Sequence, residues 1–407
     1  MKIKSLKVQN HYLFKDNEIK FFNENNEMLK TVVLAGINGS GKTTFLKAIV
    51  NILTDKNNQE DTKVMLDIDE NEEVYLKNLF NVVIENNKYF NISKPTLYRF
   101  EPSSLNYGEK EKPRLVFLPT EINFSNLEVK TRNYKSENNF YCLIDQNIIN
   151  DVPSYLVSLV NTEIFKYEDL PIKEAIKKIC DEINSIFNLL DMDIEMIGVN
   201  KNSDNMPLFK NKFGIEFDIN SLSSGEKQLF LRAMTLKMLD INNSVILIDE
   251  PEISLHPKWQ QKIVKVYEGI GENNQIIIAT HSPHIVSSVK SESLKLLVKA
   301  DNGIEILQGE EINGSYGYPV ERVLTELMGL ETPRDSEVQN MIKTLQNLVR
   351  DNKYETVEFK ALYSEVKGLL GSLDEDIILL DMGIVRRKGE TNAKNKQSSW
   401  TRFSQIL

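Results

Sequence analysis

Cysteine is nearly missing from this sequence: 407 residues contain two, Cys142 and Cys180, and neither belongs to a C-x-x-C pair or has other ligand-type residues close by. Both read as reduced, partly buried side chains rather than as a metal site. No apolar run approaches the length that spans a bilayer, and the start, MKIKSLKVQNHYLF, lacks the apolar core and small-residue cleavage site of a signal peptide. The expected location is therefore the cytoplasm, and no membrane is expected as a partner. Positive charge is not in excess either. With 49 Lys and Arg against 59 Asp and Glu, the net charge of −10 argues against a surface basic all over, although it leaves room for a local nucleic-acid groove. Long heptad repeats and internal repeats are absent. What remains, 41% hydrophobic and 27% charged residues, is the composition of a soluble globular protein with one large domain or two to three smaller ones.

The stretch from Thr31 to Val50, TVVLAGINGSGKTTFLKAIV, carries the first chemistry. An apolar run, Val32 to Ala35, enters Gly36-Ile37-Asn38-Gly39-Ser40-Gly41-Lys42-Thr43, and apolar Phe45, Leu46 and Ile49 then recur at helical spacing. Strand, loop and helix in this order give G-x-x-x-x-G-K-[ST] its meaning; the alternative is a chance glycine turn. Gly36, Gly39 and Gly41 let successive N–H groups converge on one anion, and the new helix adds the positive end of its dipole. Lys42 would reach the β and γ phosphates of a nucleoside triphosphate, and the Thr43 hydroxyl would coordinate a bridging Mg2+.

Before this loop, Lys2 to Val8 and Glu18 to Phe22 alternate like strands. Between them lie His11, Tyr12 and Phe14, which read either as a half-buried turn or as an aromatic that stacks on a base. After it, residues 54–113 read as a surface insertion, with short strands at Val64 to Ile68, Val82 to Glu85 and Thr96 to Phe100 around the acidic run Asp67 to Glu73. Arg114 to Pro119 returns to a buried-strand pattern. Residues 122–192 read as a mainly helical lobe, in which Ala175, Ile176, Ile179, Ile183, Ile186 and Phe187 form one stripe of a helix over Ile172 to Leu190.

A second cluster opens at Ser221. Ser221-Leu222-Ser223-Ser224-Gly225-Glu226-Lys227-Gln228 precedes a helix with Leu229, Phe230, Ala233, Met234 and Met238 on its apolar side; such a turn either presents hydroxyls and free N–H groups to an anion or simply caps the helix. Ser244 to Ile248 is an apolar run that ends in Asp249-Glu250-Pro251, so both carboxylates would face the crevice where open α/β sheets bind ligands. Asp249 would hold the magnesium through water and Glu250 would act as general base, whereas the alternative is that they cap the next helix. A further buried strand, Gln275 to Ala279, brings Thr280-His281-Ser282-Pro283-His284 to the same edge, where His281 can hydrogen-bond the γ-phosphate; a metal pair with His284 is the weaker reading.

GINGSGKT, LSSGEKQ, VILIDEP and ATHSP, in this order, resemble the four ATP-site motifs of the ABC-type ATPases, in the soluble branch that contains RecF, the SMC proteins and the OLD nucleases. LSSGEKQ followed by DEPEISLHP is most similar to the ATPases of bacterial anti-phage systems, the PtuA ATPase of Septu and retron-associated modules. The resemblance covers roughly residues 1–330. It implies an α/β fold: a P-loop ABC-type ATPase head over 1–330 with a mainly parallel central sheet, an antiparallel β subdomain and the helical lobe. It implies ATP and Mg2+ as cofactors, ATP hydrolysis, and two heads that sandwich two nucleotides. Gly36, Asn38, Gly39, Ser40, Gly41, Lys42, Thr43 and Thr44 of one chain would then face Ser223, Gly225 and Glu226 of another, so the chain must at least dimerise to complete a site.

Three departures and three absences narrow this. Ser224 stands where transporters have a second glycine, His256 where many ABC proteins have the D-loop aspartate, and no glutamine follows Pro119, leaving Thr120 or Glu121 as substitutes for the Q-loop residue. The long coiled coil of SMC proteins, a zinc-hook C-x-x-C and a nuclease signature of the Toprim or HNH kind are lacking. Any cutting of nucleic acid would therefore fall to another chain, an effector that this ATPase controls; a RecF-like ATPase that binds DNA itself is the alternative. At the far end, Val338, Met341, Ile342, Leu345 and Leu348, then Phe359, Leu362, Tyr363, Val366, Leu369 and Leu370, form two stripes that predict a helical hairpin over 331–382, for a partner or for the head itself. The basic stretch 383–407 reads as a solvated or disordered tail, or as a grip on the phosphates of DNA or RNA.

Overall fold

Four runs of the chain, 32–35, 115–118, 245–248 and 276–279, are apolar without alternation, a pattern stable only when both faces of a strand are covered. The computed structural model describes residues 1–11, 13–54, 62–67, 82–85, 89–92, 112–120, 127–129, 140–200, 205–300 and 303–403, and it joins these runs in one sheet. In chain order the strands are β1 (Lys2–His11), β2 (Lys15–Lys20), β3 (Thr31–Ala35), β4 (Thr62–Asp67), β5 (Val82–Glu85), β6 (Tyr89–Ile92), β7 (Leu115–Leu118) and β8 (Tyr141–Leu143). They continue as β9 (Ile194–Val199), β10 (Pro207–Asn211), β11 (Glu216–Asp218), β12 (Val245–Asp249), β13 (Gln275–Thr280), β14 (Leu294–Ala300) and β15 (Gly303–Gln308). The principal helices are α1 (Lys42–Thr54), α2 (Gln146–Asn150), α3 (Val152–Glu163), α4 (Ile172–Ser185), α5 (Ser224–Met238), α6 (Pro257–Gln260), α7 (Ile263–Glu268), α8 (Pro283–Val286), α9 (Ser336–Arg350), α10 (Val357–Leu370) and α11 (Glu375–Phe403). Two units result, Met1–Gly329 and Leu330–Leu407.

The first unit is α/β. Its central sheet runs β15-β14-β3-β13-β12-β7-β8, with every neighbouring pair parallel except β14 and β15. Alternate residues of the four apolar strands feed two cores. Val33, Val116, Ile246 and Ile278 pack on the side of α3, α4 and α5. Val32, Leu115, Leu247 and Ile277 pack on the other side, with Ile3, Leu6, Phe14 and Phe45. That double burial explains why the sequence of each strand is a run and not an alternation.

The second sheet is antiparallel throughout, in the order β2-β1-β4-β6-β5. The strands expected over Val64 to Ile68 and Val82 to Glu85 stand here as β4 and β5. β4 pairs along β1 from Lys2↔Asp67 to Val8↔Thr62, and Leu66 is buried, so this strand extends the N-terminal sheet. The expected strand over 96–100 and most of the acidic run lie outside the described residues. Gln275 ties the two sheets together: its side chain accepts from Ile3 N at 2.7 Å and donates to Ile3 O at 3.0 Å.

In the lobe, α4 buries Ala175, Ile179, Cys180 and Ile183, ends at Ser185 rather than Leu190, and is followed by a three-stranded antiparallel sheet, β11-β10-β9. Cys142 and Cys180 are not joined in a disulfide, and burial pushes the Cys180 thiol up to about 12. Among the described residues no helix is long and apolar enough to cross a membrane.

In the second unit α9 and α10 form the expected pair, but a third helix completes the cluster. Ile377 and Leu380 of α11 are buried with Ile342, Leu345, Phe359 and Val366. The expected boundary at 382 is absent, because α11 continues from Glu375 to Phe403 through what the sequence suggested was a tail. Its start is fixed by Asp374, which accepts from Asp376 N at 3.0 Å and is clamped by Arg334 at 2.8 and 3.0 Å.

Candidate active site

Strand register decides which loops meet. Ala35 at the end of β3 lies beside Thr280 at the end of β13, and Ala279 lies beside Asp249 at the end of β12. The loop 36–41, the acids after β12 and the Thr280–Ser282 turn therefore leave one edge of the sheet side by side, at the carboxyl ends of parallel strands.

The glycine loop curls back over its own strand. Lys42 Nζ donates to Gly36 O at 2.8 Å and to Ile37 O at 3.1 Å, which holds the amine inside the arc of the loop. Burial lowers its pKa, against the pull of Glu250, Glu252 and Asp249. Gly41 has φ +86°, and a Cβ there would stand 2.7 Å from Leu13 Cδ2, so the loop rests directly on the turn after β1. Phe14 in that turn is completely buried and meets Phe45 edge-on at 5.6 Å, so it supports the loop and offers no face to a base. Tyr12 lies outside the described residues. Asn38 and Gly39 are exposed at the tip, Thr44 is half-buried in the first turn of α1, and Ser40 is buried with a hydroxyl that has no hydrogen-bond partner among the described residues.

Opposite the loop, Thr43 Oγ1 donates towards both carboxylate oxygens of Asp249, at 2.9 and 3.0 Å. Burial raises the Asp249 pKa, while hydrogen bonds from Thr120 and Thr43 oppose that rise. Thr120, one of the two substitutes considered for the missing glutamine, thus touches the Asp249 carboxylate, while Glu121 lies outside the described residues. A hydroxyl and a carboxylate this close form a hard, all-oxygen donor set, which fits Mg2+ better than a softer metal. Mg2+ in such sites takes most of its ligands from phosphates and water. Among the described residues His281 Nδ1 faces Glu250, and His284 Nδ1 is buried without a hydrogen bond.

Glu250 occupies the left-handed region at φ +46°, held by its own N–H to Ala279 O at 2.8 Å. A glutamate placed there against its conformational preference is a strained position of the kind found at functional sites. Its Oε1 lies 3.2 Å from His281 Nδ1.

Two residues that sequence reasoning passed over organise this edge. Glu252 is buried, and its Oε1 accepts from Thr280 Oγ1 at 2.6 Å, His281 N at 2.8 Å and Ser282 N at 3.1 Å, so it fixes the backbone that carries the histidine. Arg232 on α5 is completely buried and donates to Pro119 O at 2.9 Å, Thr120 O at 3.2 Å and Asp249 O at 3.5 Å. It thereby joins the ends of β7 and β12 to the helix of the serine motif. The signals were present as a third acid in DEPE and a cation between Leu231 and Ala233, but neither shows a partner until the strands are assembled.

The serine motif itself is a capping box. Ser223 Oγ accepts from Glu226 N at 3.4 Å and Glu226 Oε2 accepts from Ser223 N at 2.9 Å, so both side chains are used at the start of α5. Gly225 packs against the chain after β12; a Cβ there would lie 2.5 Å from Ser254 O. Among the described residues no hydrogen bond links Ser223, Gly225 or Glu226 to the glycine loop of the same chain. His256 is also a cap: its Nδ1 accepts from Lys258 N at 3.2 Å at the head of α6.

Comparison with known proteins agrees with the motif resemblance. The chain is 27% identical over 203 residues to "Retron Ec83 probable ATPase" of Escherichia coli, a match covering 47% of this chain and 36% of that protein. It is 32% identical over 121 residues to "Septu protein PtuA" of Bacillus thuringiensis, covering 29% of this chain and 30% of that protein. The chain thus spans about a third of the length of these curated relatives. Among solved structures, the SMC head domain from Thermotoga maritima aligns over 76% of this chain and 100% of that one, at 16% identity and a TM-score of 0.40. Residues 32–287, well over half of the chain, match the family described as "AAA domain, putative AbiEii toxin, Type IV TA system", and the chain belongs to that family.

Proposed function

We propose that this chain is an ATP-binding and ATP-hydrolysing switch subunit, which dimerises or oligomerises through composite ATP sites and controls a partner effector, a nuclease, in bacterial anti-phage defence. The observation that carries the reading is the meeting of Thr43, Asp249, Glu250 and His281 at one strand edge beside the Lys42 loop. The names of the relatives, a probable ATPase of a retron and a Septu protein, support the biological setting.

In this mechanism the backbone N–H groups of 36–41 and the amine of Lys42 bind the phosphates, and Lys42 exchanges its two carbonyl partners for them. Thr43 and Asp249 would hold Mg2+, which when bound neutralises charge on the phosphates. Glu250 takes the proton of the attacking water as general base, and His281 orients the Glu250 carboxylate and hydrogen-bonds the transferring group. Ser223, Gly225 and Glu226 serve the site of a second copy. Their rigid capping box suits that task, because a pre-ordered helix start presents its N–H groups to an anion without further ordering.

The test compares Lys42→Ala and Glu250→Gln with the wild type. Lys42→Ala is expected to lose ATP binding; Glu250→Gln is expected to keep binding, lose hydrolysis by roughly 100-fold or more, and accumulate as an ATP-bound dimer or larger assembly in native mass spectrometry. Equal ATP affinity in wild type and Lys42→Ala would reject the site. Purification of Glu250→Gln from its native genetic setting should bring down a stoichiometric effector. Recovery of DNA alone, with an ATPase that rises on adding duplex DNA, would favour the RecF-like alternative.

A further inference from the structure

A cavity of about 970 Å³ opens between the end of β2 and the β14–β15 hairpin, and none of its lining residues belongs to the edge that carries the glycine loop. That volume is at the upper end of the range of small-ligand pockets, roughly 300–1,000 Å³. Lys295 on β14 lines it while being only 2% exposed. The surrounding strand, with Leu294, Leu296 and Leu297 buried, would accept an apolar residue at this position. Instead it holds an amine whose hydrogen bond among the described residues is a 3.5 Å contact to Glu292 O. The charged neighbour that acts on it is Lys20, of the same sign, and with burial it lowers the Lys295 pKa to about 8. A buried ammonium without a counter-charge is costly, and a ligand anion would remove that cost.

The rim has the opposite sign. Glu24, Glu310 and Glu311 stand exposed around the opening, and Glu292 and Lys290 face each other at 3.9 Å. Carboxylates at the mouth disfavour a polyanion such as nucleic acid, and they favour a cation on the ligand part that stays near the surface. Tyr316, 64% exposed, offers a ring beside them for the stem of a long side chain or for a cation.

We propose that this cavity binds a short peptide end, with its terminal carboxylate on the Lys295 ammonium and a basic side chain against the Glu24 and Glu310 carboxylates. A free peptide and the C-terminus of a partner protein share this chemistry. The site stands apart from the ATP reading, since it uses none of the same residues.

The experiment is calorimetric titration of the full chain with three probes: the tripeptide Ala-Ala-Arg, its C-terminal amide, and free L-arginine. Ala-Ala-Arg is expected to bind the wild type and to lose about tenfold or more in affinity both for Lys295→Met and on amidation of the peptide. Met keeps the length of the side chain, and ATP binding, which Lys295 does not touch, checks that the variant folds. In the wild type, carbon-13 NMR of the reductively methylated Lys295 amine should show its pKa rising when peptide is added. Tighter binding of longer peptides than of the tripeptide would identify a protein end as the source and equal binding a free peptide, whereas binding of L-arginine as tightly as the tripeptide would overturn the peptide-end proposal. Equal affinity of wild type and Lys295→Met, equal affinity for acid and amide, or no heat from any probe at millimolar concentration would overturn the proposal.

Discussion

Glu252 offers the sharpest test of how this edge is built. Its Oε1 receives three donors, Thr280 Oγ1, His281 N and Ser282 N, from the turn that presents His281. Removing the carboxylate in Glu252→Ala leaves two of these donors without a protein acceptor, because Ser282 N keeps Thr280 Oγ1 at 2.9 Å. At about 1–3 kcal/mol for each orphaned buried donor, the loss is about 4 kcal/mol, or roughly 8 °C in Tm for a unit of this size. Glu252→Gln can still accept through its amide oxygen. It exchanges charge-assisted bonds for neutral ones and no longer buries a carboxylate whose second oxygen has no partner, so its cost should stay near 1–2 kcal/mol. The functional consequence is separate from stability. With the His281 backbone released, the 3.2 Å contact of its ring with Glu250 loosens, and kcat should fall about 10- to 100-fold while ATP affinity stays within about twofold. Stopped-flow binding of a fluorescent ATP analogue, phosphate release and a thermal melt together read all three. A Glu252→Ala chain with unchanged Tm and unchanged kcat would refute the assigned role of Glu252 as a positioning residue.

Further predictions follow from single contacts. Gly225→Ala must displace the Ser254 carbonyl, which lies 2.5 Å from the new Cβ in a loop where Ser254 itself has φ +61°; ATP binding by the glycine loop should survive while ATP-dependent association is lost, as seen by analytical ultracentrifugation. Lys295 has a folded pKa of about 8, below its ordinary 10.5, so between these values the unfolded chain carries the extra proton and stability rises with pH. The rise amounts to about 3 kcal/mol at most, and denaturant titrations at pH 7 and pH 10 should show it in the wild type but not in Lys295→Met. Arg334→Leu removes the clamp on Asp374 and Asp376 at the start of α11, and the amides of 375–378 should then exchange hydrogen faster than those of α9.

Much of the nucleotide edge was legible because its signals are local. A glycine loop between an apolar run and a helix, two acids after a second run and a histidine after a third each declare themselves within a few residues, since parallel buried strands have no polar face to blur the pattern. The two stripes after 336 were legible for the same reason. The serine-rich turn caps its helix with hydrogen bonds that are local to SSGEK, and so this part of the reading needed no distant neighbour.

The rest depended on distant neighbours. Sequence alone treated 54–113 as an insertion, because pairing of β4 with β1 is set by register across more than fifty residues and leaves no mark in either strand. It separated a tail from residue 383 because basic composition says nothing of a helix that Asp374 and Arg334 start upstream. Nothing in the sequence marks Glu252, Arg232 or Lys295; the sheet buries the first two, and β2 and β15 close around the third. The amino-acid order by itself determined which glycines, acids and histidine stand at which strand ends. Only the tertiary structure decided which of them share one edge and which charges have to find a partner in a buried place, because burial and proximity are properties of packing between segments far apart in the chain.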